Sequence, residues 1–325
     1  MKKYENQIPT DMRMGLATIF SLLRDALLTR GRLKPATNLA VETFTIADIM
    51  TVPHAARVTW FGHSAFLLEL ENKRLLFDPM LGTRIPWVGE KRYSRKLPLQ
   101  PEDFPAMDAI ILSHDHYDHY DHLDYSSIRK LKDKTHRFIV PKGVGRHLIK
   151  WGVAPEKISE HQWYEELLID GLTLACMPAR HFSGRGMFNR NSTLWCSWVI
   201  VGSDTRVYFS GDSGYGPHFK EIGEIYGPFD LTMMECGQYD ERFLIHMKPE
   251  ETVRAHLDLR GKLLIPIHWG AFTLAFHLWT DPIERVTKAA SEQKVNIATP
   301  KIGETVIITS KEIPTSAWWR KEIME

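Results

Sequence analysis

Four side chains able to bind metal ions stand within six residues of one another: His114, His116, Asp118 and His119, in the run Ser113-His-Asp-His-Tyr-Asp-His119. Imidazole nitrogens suit a borderline cation such as zinc, and a carboxylate adds charge and holds a second ion. In a tight turn His114 and His116 can face one point while Asp118 and His119 face a neighbouring one. Histidine and aspartate clusters also occur as solvated loops, and a lone His-x-His is poor evidence. Four ligand types in six positions, directly after a buried-type strand at Asp108 to Leu112, form a far more specific pattern. Three later residues repeat its logic. His181 lies just past the apolar run Leu172 to Met177, and His268 follows Leu263 to Ile267. Asp212 follows Arg206 to Ser210, where Gly211 permits a sharp turn. Five histidines and two aspartates at strand ends are enough to hold two metal ions.

Such residues need a rigid frame, and the chain supplies one. Short apolar or alternating runs at Arg57 to Phe61, Ala65 to Leu70, Arg74 to Phe77, Phe138 to Val140, Trp195 to Val201, Asp230 to Met234 and Thr305 to Thr309 read as further strands. Helical spacing appears at Ser126 to Leu131, Val144 to Trp151, Pro249 to Leu259 and Pro282 to Glu292. Strands interleaved with helices, without a Gly/Ser linker, predict one α/β domain with layered sheets over 57–325. Ahead of it, residues 1–56 read as an amphipathic helix from Thr10 to about Leu28, N-capped by Thr10 and stopped at Gly31, followed by a lead-in arm.

Of the 325 residues, 43% are hydrophobic and 25% charged, a composition that builds a large core and excludes a disordered or membrane-spanning class. Lys plus Arg number 41 against 40 for Asp plus Glu, so the net charge is +1 and a nucleic-acid strand is a poor partner. Three cysteines without CxxC spacing fit a reducing compartment. The short apolar run Gly15 to Leu23 is flanked by Asp11, Arg13, Arg24 and Asp25, which does not read as an export signal. A cytoplasmic location, peripheral to a membrane if the N-terminal helix meets lipid, is the expectation.

Among non-ligand residues, His246 stands just before a Pro-Glu-Glu helix start and is the candidate for acid–base work, against the plainer reading of a surface histidine. His63 is either a support to the ligands or a core residue, and Tyr117 is a candidate phosphate donor. Asp78 reads as a hydrogen-bonding support beside the metal loop. Trp195, Trp198, Trp269, Phe272 and Phe276 read as core or pocket lining. Lys91, Arg92, Arg95 and Lys96 read as a solvated basic loop that could also meet anionic headgroups.

The motif His-x-His-x-Asp-His at 114–119, followed in order by His181, Asp212 and His268, resembles the metallo-β-lactamase superfamily over roughly residues 57 to 310. That resemblance implies an αββα sandwich of two sheets with helices outside. It also implies two metals, with His114, His116 and His181 on the first, Asp118, His119 and His268 on the second, and Asp212 bridging. Gly62-His63-Ser64-Ala65-Phe66, Phe77-Asp78-Pro79, Leu194-Trp195-Cys196-Ser197-Trp198, His246-Met247-Lys248-Pro249-Glu250-Glu251 and Pro266-Ile267-His268-Trp269-Gly270 are similar to motifs of the N-acylphosphatidylethanolamine-hydrolysing phospholipase D group. One departure is the repeat Tyr120-Asp121-His122 after Tyr117-Asp118-His119. Only the frame starting at His114 completes the motif.

The expected activity is hydrolysis of a phosphodiester by a metal-bound hydroxide oriented by Asp118 and Asp212. The cofactors are two divalent ions, zinc first, with manganese or iron also compatible. The substrate implied by the resemblance is an N-acylphosphatidylethanolamine-like lipid. For it, the N-terminal helix and Ala271 to Trp279 could form an acyl groove. The alternative is a lactonase or small-molecule phosphodiesterase with a soluble substrate. A non-catalytic metal-binding scaffold ranks behind both, since no ligand position is missing.

Overall fold

The computed structural model describes residues 3–10, 15–29, 33–45, 49, 55–84, 90–116, 123–186 and 189–323. Asp118 and His119 therefore lie outside the described residues, as do Tyr117, Tyr120, Asp121, His122 and Gly31.

Two mixed sheets form the frame among the described residues. The first runs β13 (Thr305–Ile307), β1 (Arg57–Trp60), β2 (Phe66–Leu70), β3 (Lys73–Phe77), β4 (Met107–Ile111), β5 (Thr135–Pro141) and β6 (Ile158–His161). The second runs β12 (Gly261–Ile267), β11 (Phe229–Glu235), β10 (Arg206–Phe209), β9 (Ser197–Val201), β8 (Leu172–Met177) and β7 (Glu165–Ile169). In each sheet antiparallel hairpins give way to parallel neighbours. β3 pairs β4 with Phe77 opposite Ile111, and β11 pairs β12 with Glu235 opposite Ile267. Parallel pairs place their carboxyl ends at one rim, so the loops leaving β3, β4, β11 and β12 can converge.

The near-continuous apolar character of these strands follows from burial on both faces. Ala109 and Ile111 of β4 join the core between the sheets, while Ile110 and the following Leu112 join a second core with α2 (Tyr125–Leu131) and α3 (Gly145–Lys150). On the second sheet α5 (Pro249–Asp258) packs against β11 and β12, flanked by α4 (His218–Tyr226) and α6 (Asp281–Glu292). Helices outside two facing sheets make the expected sandwich. Three rings interlock the sheets. Phe66 and Phe77 stack with centroids 4.5 Å apart, and Phe209 of β10 meets both edge-on at 5.1 and 5.4 Å.

The N-terminal helix α1 spans Leu16–Leu28 rather than starting from Thr10, and its N-cap is Gly15. Thr10 is occupied elsewhere: its hydroxyl donates to the Ile8 carbonyl and accepts from Arg180 Nε, so it is not available as a cap. The lead-in arm is pinned in place, with Leu39 N–H donating to the Tyr93 carbonyl and Glu42 N–H to the Ile302 carbonyl. Strands β6 and β7 and helix α4 were not anticipated. β6 and β7 are edge strands only partly buried, so their apolar signal is thin. No described helix is long and apolar enough to cross a membrane.

Replacing Phe209 by Ala is expected to cost about 3–5 kcal/mol of stability, read as a lower urea midpoint at unchanged slope. A loss below about 1 kcal/mol would contradict this ring interlock as a main tie between the sheets.

Candidate metal centre

Four strand ends deliver the site. The turn after β4 carries Ser113, His114 and His116, the loop after β8 carries His181, the turn after β10 carries Asp212, and the residue after β12 is His268. All are buried. The imidazoles of His114, His116 and His181 form a near-equilateral group, with centroids 4.9, 5.0 and 4.8 Å apart and planes crossing at 79 to 83°. One ligand atom from each lies within 4.8 Å of the others. A second group of the same tightness comprises Asp212, Glu235, His246 and His268. A single oxygen of Asp212 stands between the two groups, 3.8 Å from His114 Nε2, 3.9 Å from His181 Nε2 and 3.2 Å from His268 Nε2.

Hydrogen-bond partners behind the rings fix which nitrogen carries the proton. His181 Nδ1 faces the Ile245 carbonyl at 3.0 Å, so it must donate there, and its Nε2 lone pair points at the cluster. His268 Nδ1 faces two acceptors, the Gly237 carbonyl at 3.2 Å and Glu235 Oε2 at 3.3 Å. Its Nε2 lone pair is thereby turned on the Asp212 carboxylate. For His114 the relay is longer. Asp78 accepts from the Ser113 N–H and from the Ser113 hydroxyl, so Ser113 Oγ accepts from His114 Nδ1 at 2.8 Å. His246 Nδ1 donates to Glu235 Oε2 at 2.8 Å.

His116 Nδ1 donates to His181 Nε2 at 3.1 Å, and the Nε2 atoms of His114, His181 and His268 converge on the Asp212 carboxylate in a buried space, a grouping that divalent cations stabilise. The donor set of imidazole nitrogen and carboxylate oxygen therefore fits a borderline divalent ion, and neither group contains a thiolate. The three cysteines lie elsewhere. Cys196 and Cys236 have thiols pushed up by burial, which makes them poor nucleophiles.

Local backbone choices hold this geometry. Gly211 has φ of +55°, and a Cβ there would sit 2.7 Å from the Cys196 carbonyl and 2.8 Å from Ser113 Cβ, so only glycine fits the turn into Asp212. His268 itself adopts φ of +66°, in the left-handed region that few residues other than glycine occupy. It is held because its N–H donates to the His63 carbonyl while His63 N–H donates to the Trp269 carbonyl. His63 is accordingly a buried partner of the ligand loop, its ring 4.4 Å from that of His268.

Arg92 corrects an expectation. It is not a solvated loop residue but a buried guanidinium that donates to the carbonyls of Phe61, Met80 and Gly82, stapling the loops under the site. Burial lowers its pKa to about 10, so it stays charged at neutral pH. Lys91, Arg95 and Lys96 are exposed, as expected of a basic loop. Trp195, Trp198 and Trp269 are core residues.

The metal-binding groups open on a cavity of about 410 Å³. Polar residues at its base include His116, Asp212, His246 and His268, and Phe182, Phe243, Ile245, Leu274 and Phe276 form apolar walls. Leu22 of α1 completes the wall, with Arg242 tethering that helix through Ser21 and Asp25. Phe276 is thus pocket lining, while Phe272 belongs to a small buried cluster with Met80 and Ala271.

Glu235 was not singled out from the sequence. It ends an apolar strand, where a lone acidic residue looks like an ordinary strand terminus. Yet it is fully buried, receives the Met247 N–H at 2.8 Å and faces both His246 and His268. Its signal was its place at the end of a parallel strand beside the one carrying His268.

Fold and site together define a metal-dependent hydrolase of the β-lactamase type. Residues 73–269 match the Beta-lactamase superfamily domain, and the chain belongs to the metallo-β-lactamase superfamily. More particularly, it is 34% identical over 280 residues to the N-acyl-phosphatidylethanolamine-hydrolyzing phospholipase D 1 of Caenorhabditis elegans, a match covering 81% of this chain and 78% of that protein. It is 45% identical over 270 residues to an uncharacterized protein of Mycobacterium tuberculosis, covering 81% of this chain and 71% of the relative. Among solved structures, Igni18, a metallo hydrolase from Ignicoccus hospitalis, superposes with a TM-score of 0.59 at 22% identity. That superposition covers 78% of this chain and 97% of the other, and it supports the fold alone.

Glu235→Gln is expected to weaken metal retention about 10- to 100-fold, measured by chelator competition on the folded protein. Unchanged affinity would contradict its role in orienting His268.

Proposed function

We propose that this protein hydrolyses phosphodiesters as a phospholipase D-type enzyme, with N-acylphosphatidylethanolamine-like lipids as substrate. The observation that carries this reading is the junction of metal-binding side chains with an apolar cavity of about 410 Å³, one wall of which is the amphipathic helix α1. A cavity of that size takes a headgroup and the adjoining part of one chain, within the roughly 300–1,000 Å³ usual for ligand sites. The sequence likeness to the nematode phospholipase D supports the same substrate class.

Water adds to phosphorus, and the bond between phosphorus and the ethanolamine oxygen breaks, giving phosphatidic acid and an N-acylethanolamine. His114, His116, His181, Asp212 and His268, together with Asp118 and His119, would hold two divalent ions, zinc first, which when bound would lower the pKa of a water and act as Lewis acids toward the phosphoryl oxygens. Asp212 and Asp118 orient the attacking water. His246, held through Nδ1 by Glu235, lines the cavity and moves the proton to the departing alkoxide. Phe182, Phe243, Ile245 and Leu274 exclude bulk water around the acyl part.

Lipid also explains the surface of α1. Phe20, Leu27 and Leu28 are 71%, 72% and 70% exposed, while Leu22 of the same helix faces the cavity. A helix that is apolar both toward the pocket and toward the outside suits peripheral contact with a bilayer, delivering substrate without leaving it.

Full chelation is expected to abolish hydrolysis of N-acylphosphatidylethanolamine vesicles, and zinc add-back to restore it. His246→Ala should lower kcat about 10²- to 10⁴-fold while retaining metal. Turnover of lactones or soluble diesters, with none of the lipid, would overturn the substrate assignment and favour the soluble-substrate reading. Activity surviving complete metal removal would overturn the mechanism.

A further inference from the structure

Residues 3–10 lie far from the metal-binding motifs in sequence yet are laid directly against one of them. Exposure alternates along this segment: Tyr4, Asn6, Ile8 and Thr10 turn inward, and Lys3, Glu5, Gln7 and Pro9 outward. The segment bends at Gln7 and Ile8 without joining either sheet, and it is anchored at both ends. Tyr4 N–H donates to the Asn191 carbonyl, and Arg180 donates from Nε to Thr10 Oγ1 at 3.0 Å and from Nη2 to the Pro9 carbonyl at 3.3 Å.

Between those anchors the Asn6 side chain makes a two-point match to the backbone of His181. Asn6 Oδ1 accepts from the His181 N–H at 3.0 Å, and Asn6 Nδ2 donates to the His181 carbonyl at 2.8 Å. Trp195 Nε1 also donates to Asn6 Oδ1 at 3.1 Å, which fixes the amide's orientation: the oxygen must be the atom facing both N–H groups. His181 lies on a loop past β8, outside any ladder, so its backbone groups take their partner from 175 residues away. Its ring is held separately through Nδ1 by the Ile245 carbonyl. The next residue toward the strand, Arg180, ties the same loop to the Asp212 turn, its N–H donating to Ser213 Oγ at 2.9 Å.

We propose that residues 3–10 act as a strap on the loop that carries His181 and that Asn6 is a positioning residue for the metal-binding imidazole of His181. The inference rests on the metal-centre reading above and adds to it a structural element that lies outside the motif-bearing region. An amide bonded to both the N–H and the C=O of one residue restrains that residue's translation and its peptide tilt together. Backbone drift at His181 would move Nε2 out of the group formed with His114 and His116, and outer partners of metal-binding histidines are worth about 10- to 100-fold in affinity.

The test is a cobalt titration of the metal-free full chain, with a competing chelator and the visible cobalt spectrum as readouts. It compares wild type, Asn6→Ala and the outward-facing control Glu5→Ala. The expected result is a 10- to 100-fold weaker cobalt affinity and an altered spectrum for Asn6→Ala, with Glu5→Ala matching wild type. A merely structural strap would lower the unfolding midpoint and leave affinity and spectrum of the folded protein unchanged; that result would overturn the proposal. Should Asn6→Ala fail to fold, Asn6→Ser serves instead, because its shorter, uncharged side chain keeps a polar group but cannot reach both the N–H and the carbonyl of His181. Its expected loss is smaller and in the same direction, and wild-type affinity in it would likewise overturn the proposal. Wild type that takes up no cobalt would instead overturn the metal-centre reading itself, so the two failures are distinguishable.

Discussion

The convergence of buried imidazole nitrogens on one carboxylate oxygen is the constraint around which the rest of this molecule is arranged. Three imidazole Nε2 atoms, of His114, His181 and His268, lie within 3.9 Å of one Asp212 oxygen, and each ring's Nδ1 proton is committed to an acceptor behind it. Burying such a group is favourable when it holds cations, and it forms the candidate metal centre of this metal-dependent hydrolase fold.

The sandwich meets that cost through rigidity. Parallel strands in each sheet end at one rim, two cores clamp the first sheet from both faces, and the Phe66–Phe77–Phe209 contact locks the sheets together. Where regular structure stops, specific devices take over: Gly211 in a turn too close for any Cβ, His268 in a left-handed conformation pinned by His63, and Asp78 acting on His114 through Ser113. The cavity that these groups face takes Leu22 of α1 as part of its wall, and that helix is held by Arg242 through Ser21 and Asp25.

How much of this was legible in the sequence follows from the range of the interactions. The motif at 114–119 is local, and an apolar strand followed by His-x-His announces the element and the candidate ligands His114 and His116, which the fold brings together with His181. His181, Asp212 and His268 were legible because each ends or closely follows an apolar strand, and strand ends share a rim in layered α/β folds. Asp78 was read as a support and serves as one. Glu235 escaped because its importance lies in what stands across the sheet, and periodicity carries no such information. Asn6 escaped for the same reason over 175 residues. Thr10 looked like a helix cap because local chemistry favours it, but Arg180 claims its hydroxyl. Arg92 was read as solvated from its basic neighbours, although three carbonyls at the base of the site bury it.

The central claim is that side chains dispersed along the sequence meet to hold divalent metal. Its most direct test is anomalous X-ray scattering at the zinc edge from crystals of the zinc-loaded protein. The account predicts one strong peak enclosed by His114, His116 and His181 and another beside Asp212 and His268. Peaks confined to surface histidines, with the buried rings in place and no metal among them, would contradict it.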